Sequence, residues 1–252
     1  MHPELVRLHL PGVDRPIYSY GALVVVGIAV GIAVGVARAR RFGVERFDEL
    51  AVGLLGVCGG LVGGALLYVA VHARLFLADP GELAHPGLVF YGGLVGGAAA
   101  ALAYCRAYGI SLPRAADAGA PGLALGHAIG RVGCLLGGCC YGRAVPHGFP
   151  LAIELAGAWR HPVQLYEAAA LGLLAIVTWR APAAVTRRPG AIFLVYLGGY
   201  ALTRLVVEHW RGDDYERGFV LPGLLSTSQA IAALVLAACA VVLYRVTRKG
   251  AA

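Results

Sequence analysis

Three short segments of this 252-residue chain carry charged or nucleophilic side chains at spacings that could do chemistry. In residues 126–143, GHAIGRVGCLLGGCCYGR, Arg131 stands between Gly130 and Gly133. A guanidinium beside bare backbone N–H groups suits a phosphate, which takes paired hydrogen bonds from arginine. The plainer alternative is an interfacial arginine reaching for water. In residues 200–213, YALTRLVVEHWRGD, Arg204 and Glu208 are four apart and share one helical face, with Arg211 three further on and close to it. An ion pair holding a helix end is the bland reading. Two arginines and a carboxylate facing Arg131 instead suggest an anion site. Residues 161–168, HPVQLYEA, put His161, Gln164 and Glu167 at a helix start, with Pro162 suited to its first turn. Alone, that segment specifies no chemistry. Cys134, Cys139 and Cys140 fall within seven residues, beside Arg131 and Arg143, whose charge would lower a thiol pKa. A disulfide, inert packing, a reactive thiolate and a metal site are all open. Cys134 with Cys139 is an easier pairing than the adjacent Cys139 and Cys140.

The elements that position these residues are apolar. Hydrophobic residues make up 59% of the chain and charged ones 14%, with a mean hydropathy of +0.72. Soluble domains run nearer 45–50% and about 25%. Disordered, collagen-like and disulfide-scaffold classes are excluded, and too little polar surface remains to cover a water-soluble enzyme. An all-α polytopic membrane protein remains. A span needs about 20 mostly apolar residues. Seven stretches qualify, roughly 18–37, 51–71, 88–105, 115–136, 163–180, 191–210 and 224–244. Asp117, His127 and Arg131 interrupt the fourth. No cleavable signal segment is expected before the first.

Twelve of the 21 basic residues follow spans one, three, five and seven, which predicts an external N-terminus and a cytoplasmic C-terminus. Arg131, Arg143, Arg160, Arg204, Arg211 and Arg217 then fall outside, where this tendency would not put them, and so pose a functional question. The net charge of +7 points to anionic lipid, since no soluble basic face suggests nucleic acid. GGLVGG occurs twice, at 59–64 and 92–97. Close helix packing is its structural reading, and room for a lipid head group the alternative.

Together the segments resemble the prolipoprotein diacylglyceryl transferases, seven-span enzymes of the bacterial inner membrane. IYSYGALVVVG (17–27) resembles the family's first span with its tyrosine–glycine pair, and FYGGLVGG (90–97) the third, with its His-Gly-Gly. GRVGCLLGGCCYGR (130–143) has the frame of the signature Gly-Arg-x-Gly-Asn-Phe-x-Asn-x-Glu-x-x-Gly-Arg. HPVQLYEA, TRLVVEHWR and STSQ (226–229) match three later motifs in order. The resemblance covers most of residues 1–252, read as a single integral-membrane domain.

It implies transfer of a diacylglyceryl group from phosphatidylglycerol to the lipobox cysteine of a prolipoprotein, with glycerol phosphate leaving and no cofactor or metal required. Its implied partners are that phospholipid, the membrane and a thiol acceptor. Arg131 and Arg204 would stabilise the departing phosphate, with Arg211 in support and Glu208 orienting them. Tyr20, Gly92, Gly93, Gly130, Gly133, Gly142, Arg143, His161, Gln164 and Glu167 would line the substrate. The chain departs from the pattern where the acceptor is handled. Cys134, Gly137 and Cys139 replace two asparagines and a glutamate; Tyr91 replaces histidine; Leu61 stands where arginine is usual. Tyrosine, whose unperturbed pKa is near 10, is a poor replacement for a histidine base. His127 could substitute or could be merely buried. One cysteine could take the lipid covalently, or another thiol could accept it. A non-catalytic lipid-binding relative is the further alternative.

Overall fold

In a computed structural model of the protein, all seven apolar stretches are helices. The structure describes residues 4–10, 13–78, 87–155, 157–212, 218–221 and 224–249; Arg217 lies outside them. A hairpin of β1 (Glu4–Leu10) and β2 (Val13–Tyr18) leads into α1 (Ser19–Arg38), followed by α2 (Arg46–Val71) and the short α3 (Ala73–Ala78). Helices α4 (Phe90–Ala107) and α5 (Leu112–Gly137) come next. A hairpin of β3 (Ile153–Leu155) and β4 (Ala158–Arg160) precedes α6 (Val163–Trp179), the single turn α7 (Ala183–Thr186) and α8 (Ala191–Val207). Strands β5 (Phe219–Leu221) and β6 (Leu225–Ser226) pair just before α9 (Thr227–Lys249). The three antiparallel hairpins are additions to the all-α expectation. The first precedes α1 and the other two join short segments in the connections between helices, where pairing satisfies backbone groups.

Ser19–Phe42, Arg46–Val71, Ala191–Trp210 and Thr227–Arg245 are long and apolar enough to cross a membrane, and Val163–Trp179 is a shorter apolar helix. Burial is arranged for lipid. Leu66, Leu173 and Leu234 are 65%, 61% and 71% exposed, whereas Gln164, Glu167, Glu208 and Ser226 are at most 2% exposed. Apolar side chains out and polar ones in is the economy of a protein whose solvent is hydrocarbon.

The chain groups into two compact units, Met1–Val34 with Ala120–Ala252, and Gly35–Gly119. In the second, α2 and α4 are joined through the two GGLVGG segments. A Cβ on Gly59 would lie 2.7 Å from the carbonyl oxygen of Gly96, and Gly63 and Gly92 face each other's carbonyls more closely still. The repeat therefore makes a helix seam, the packing reading of the two. In the first unit, α1 meets α5 likewise, with a Cβ on Gly27 only 2.6 Å from the carbonyl oxygen of Gly126. Despite Pro121, α5 runs unbroken to Gly137.

Candidate active site

Glu167 joins the two arginines. On α6, one turn past Pro162, its carboxylate is buried and takes Arg131 Nε on Oε2 and Arg204 Nη1 on Oε1. Arg204 Nη2 reaches Glu208 Oε2 at 2.7 Å. Ser226 Oγ donates to the other oxygen, Glu208 Oε1, also at 2.7 Å. Charges from α5, α6 and α8 thus form one chain, Arg131–Glu167–Arg204–Glu208, closed by a hydroxyl at the start of α9. Each carboxylate holds a guanidinium in a fixed plane, and the Arg131 and Arg204 side chains keep 14% and 11% of their surface open. Two arginines balance two glutamates; Arg143 and Arg211 are further cations carried on neighbouring segments of the same unit.

Local structure explains each placement. Arg204 and Glu208 meet because four residues make about one helical turn. Arg211 departs from the expectation that it extends their face. Helix α8 gives way at Glu208–Trp210 to a tighter 3₁₀ turn, and Arg211 leaves in extended backbone (φ −70°, ψ 143°) to bridge to Gly142. Arg143 fastens the same junction. Its backbone N–H donates to the Trp210 carbonyl at 2.7 Å and its Nε to the Arg211 carbonyl at 3.2 Å. Gly142 is needed for that approach, since a Cβ there would lie 2.6 Å from His161 Cβ. His161 shares a hydrogen bond of 3.2 Å with the Tyr166 hydroxyl and packs beside Phe149, its backbone N–H bound to the Arg143 carbonyl. These residues brace the loop below the arginines.

The remaining expected residues divide by unit. Gly133 packs on α1 beside Tyr20, while nothing lies within 4 Å of a Cβ on Gly130, so open space adjoins Arg131. His127 is set edge-on against Tyr200, with ring centroids 4.8 Å apart. Tyr91, Gly92 and Gly93 belong to the other unit, where both glycines pack on α2 backbone. Two residues of the site escape the sequence reading. Tyr200, whose ring stacks edge-on against His127, lies one turn before Arg204 on the same face of α8. Ser226 caps α9: the Gln229 N–H donates to its Oγ and its own N–H donates to Gln229 Oε1, both at 3.1 Å. The Ser-x-x-Gln pattern of a capping box is visible in the sequence, but not the bond to Glu208.

The three clustered cysteines converge. Gly138, at φ +76°, ends α5 and turns the chain back, so that the Cys139 N–H donates to the Cys134 carbonyl at 3.1 Å. Cys140 follows, itself at φ +57°, a conformation unusual outside glycine. Gln164 Nε2 donates to the Cys139 carbonyl at 2.7 Å and holds the turn. All three sulfurs lie within 4.8 Å of one another, and all three are free thiols. The neighbouring Cys134 and Cys139 thiols, and then the charges of Arg131 and Arg211, hold Cys140 well below the ordinary thiol range. Cys139 Sγ donates to the Cys134 carbonyl at 3.6 Å, and the two neighbouring thiols push Cys139 up.

Comparison with known proteins accords with this geometry. The chain is 32% identical over 225 residues to the phosphatidylglycerol–prolipoprotein diacylglyceryl transferase of Clostridium tetani, covering 85% of this chain and 87% of that one. It is 35% identical over 219 residues to the protein of that name from Rhodospirillum rubrum, covering 80% and 75%. The second such transferase of Clostridium perfringens is 33% identical over 232 residues, 87% of each chain. The family model for prolipoprotein diacylglyceryl transferase matches residues 6–245, nearly the whole length, and the chain belongs to that family.

Proposed function

We infer that the protein is a membrane transferase that moves a diacylglyceryl group from phosphatidylglycerol to the lipobox cysteine thiol of prolipoproteins. The observation that carries this reading is the Arg131–Glu167–Arg204–Glu208 chain. It presents two guanidiniums, already oriented by carboxylates, beside the open space at Gly130. In the reaction the sulfur of the acceptor thiol attacks the phosphate-bearing carbon of the diacylglyceryl moiety, and the thiol proton passes, directly or through water, to the departing glycerol phosphate. The carbon–oxygen bond breaks, its electrons stay on the phosphate oxygen, and glycerol phosphate leaves. Charge grows on that phosphate, and fixed donors that need no rearrangement stabilise it best. Arg131 and Arg204 fill this role, with Glu167, Glu208 and Ser226 positioning them. Arg211 and Arg143 supply additional positive field, and Tyr20 contributes a hydroxyl at the mouth of the α1–α5 seam.

The same reading gives seven crossings of the bacterial inner membrane, an external N-terminus, a cytoplasmic C-terminus and a site facing the outer leaflet. Seven helices at the seven apolar stretches and the basic residues after spans one, three, five and seven support it. Reporter fusions at residues 43 and 252 scoring external at either position would overturn the orientation.

The decisive assay incubates purified protein with labelled phosphatidylglycerol and a lipobox peptide, beside a verified family enzyme. A thioether-lipidated peptide is the expected product. Release of glycerol phosphate with the lipid on another thiol would replace the acceptor, and an untouched donor would leave only lipid binding.

A further inference from the structure

We propose that Cys134, Cys139 and Cys140 form a three-thiolate site for a thiophilic divalent metal ion of the zinc class. The sulfurs come from the last turn of α5 and the reversal after it, and lie within 4.8 Å of one another. Zinc–thiolate bonds of about 2.3 Å in tetrahedral geometry place sulfurs roughly 3.8 Å apart, so closure on an ion needs a shift of about an ångström or less. A disulfide would need one pair to approach to about 2.05 Å and would leave the third thiol over.

The backbone is already committed to this convergence. Gly138 and Cys140 both take left-handed conformations, and the turn is pinned by the Cys139 N–H to Cys134 bond and by Gln164. A non-glycine residue at positive φ is strained and persists where its surroundings over-determine it. A second observation points to a ligand. Gln164 is 1% exposed and donates to Cys139 through Nε2, yet its Oε1 has no hydrogen-bond partner among the described residues. A buried acceptor without a donor is destabilising. A water or another donor held on the metal beside the cluster would supply the missing bond.

Binding releases to solvent the protons the three thiols still carry and forms three metal–sulfur bonds, with no change of oxidation state. Three thiolates and a divalent ion sum to a single negative charge, which Arg131 and Arg211 offset. Three protein ligands leave one position open, as in catalytic rather than structural zinc sites. Resting on the transferase reading, an acceptor thiol entering that position would be bound as its thiolate.

The test uses the full chain in detergent, reduced, then loaded with zinc(II) and freed of excess. Elemental analysis should find about one zinc per chain, and cobalt(II) in its place should give thiolate-to-metal charge-transfer absorption. Cys134→Ser, Cys139→Ser and Cys140→Ser should each weaken zinc binding by at least ~100-fold. Cys58→Ser should leave it unchanged, with far-ultraviolet circular dichroism checking the fold of every variant. The site is overturned if the reduced wild-type chain takes up no zinc while all three thiols alkylate. It is equally overturned if the three serine variants bind zinc like the wild type. Because the readout needs no turnover, zinc binding without lipid transfer removes only the transferase reading. Transfer by a chain that takes up no zinc removes only the metal site.

Discussion

Glu167 and Glu49 are both carboxylates buried in helices, 2% and 6% exposed, and they are treated oppositely. Glu167 receives guanidiniums from two other helices. Glu49, near the start of α2, lies in a slot made by Gly35 and Gly119, and its Oε2 has no hydrogen-bond partner among the described residues. The first belongs to a network in which every charge is answered and held in position. The second occupies space that small residues leave. The units around them differ as well: both contain glycine seams, α1 with α5 in one and α2 with α4 in the other, but the first also joins distant segments through buried ion pairs. Burial alone therefore does not identify machinery; burial with fixed opposite charge does.

Substitutions at the two carboxylates should separate most. Removing one partner of a buried ion pair strands the other charge and costs about 3–5 kcal/mol. Removing a preorganised donor slows turnover by roughly 10²–10³-fold. Arg204→Ala and Glu167→Ala should show both effects in thermal unfolding and in lipid transfer to a lipobox peptide, and Arg131→Ala should match them in rate. Glu49→Gln should transfer lipid within about twofold of the wild type. Equal rate losses at Glu49 and Glu167 would erase the distinction.

The seams give the next largest effect. Gly63→Val would press a side chain into the Gly92 carbonyl, and overpacking of this kind costs about 1–3 kcal/mol. Its signature is a lowered unfolding temperature with normal turnover in the molecules that remain folded. Gly130→Ala, with open space around its Cβ, should keep or gain stability, by up to about 1 kcal/mol from helix propensity. It should raise KM for the phospholipid; an unchanged KM would move the substrate away from that face.

Ser226 joins structure and site. Ser226→Ala removes a helix cap, worth about 0.5–2 kcal/mol, and also the hydroxyl that positions Glu208. Ser226→Thr should restore the cap, and recovery of stability without recovery of kcat would assign the hydroxyl's geometry to the reaction.

The smallest effect is in the thiols. Cys140, lowered by the neighbouring thiols and arginines, is already thiolate at pH values where an ordinary thiol, with pKa about 8.5, is protonated. In the reduced, metal-free chain its alkylation rate should stay nearly flat between about pH 6 and pH 8, where a free cysteine's rises about tenfold per unit. A rise like that of free cysteine would remove the influence of Arg131 and Arg211 on this cluster.

Hydrocarbon solvent makes helices legible, because a backbone without water must satisfy its own hydrogen bonds and a span must be about 20 apolar residues long. The seven stretches and the packing role of GGLVGG follow from that local rule. Arg204 with Glu208 follows from another, one helical turn. Glu167 does not: its segment alone specifies no chemistry, and its meaning arises only when α6 carries it to arginines 36 and 37 positions away in the chain. Nor does Ser226, whose cap is written in Ser-x-x-Gln while its bond to Glu208 depends on where α8 ends. Arg211 is displaced by a 3₁₀ turn that no residue pattern announced, and the cysteines' convergence hangs on two left-handed residues. Periodicity and composition are local and survive in the chain; the meeting of side chains across helices is a long-range property that only the folded arrangement decides.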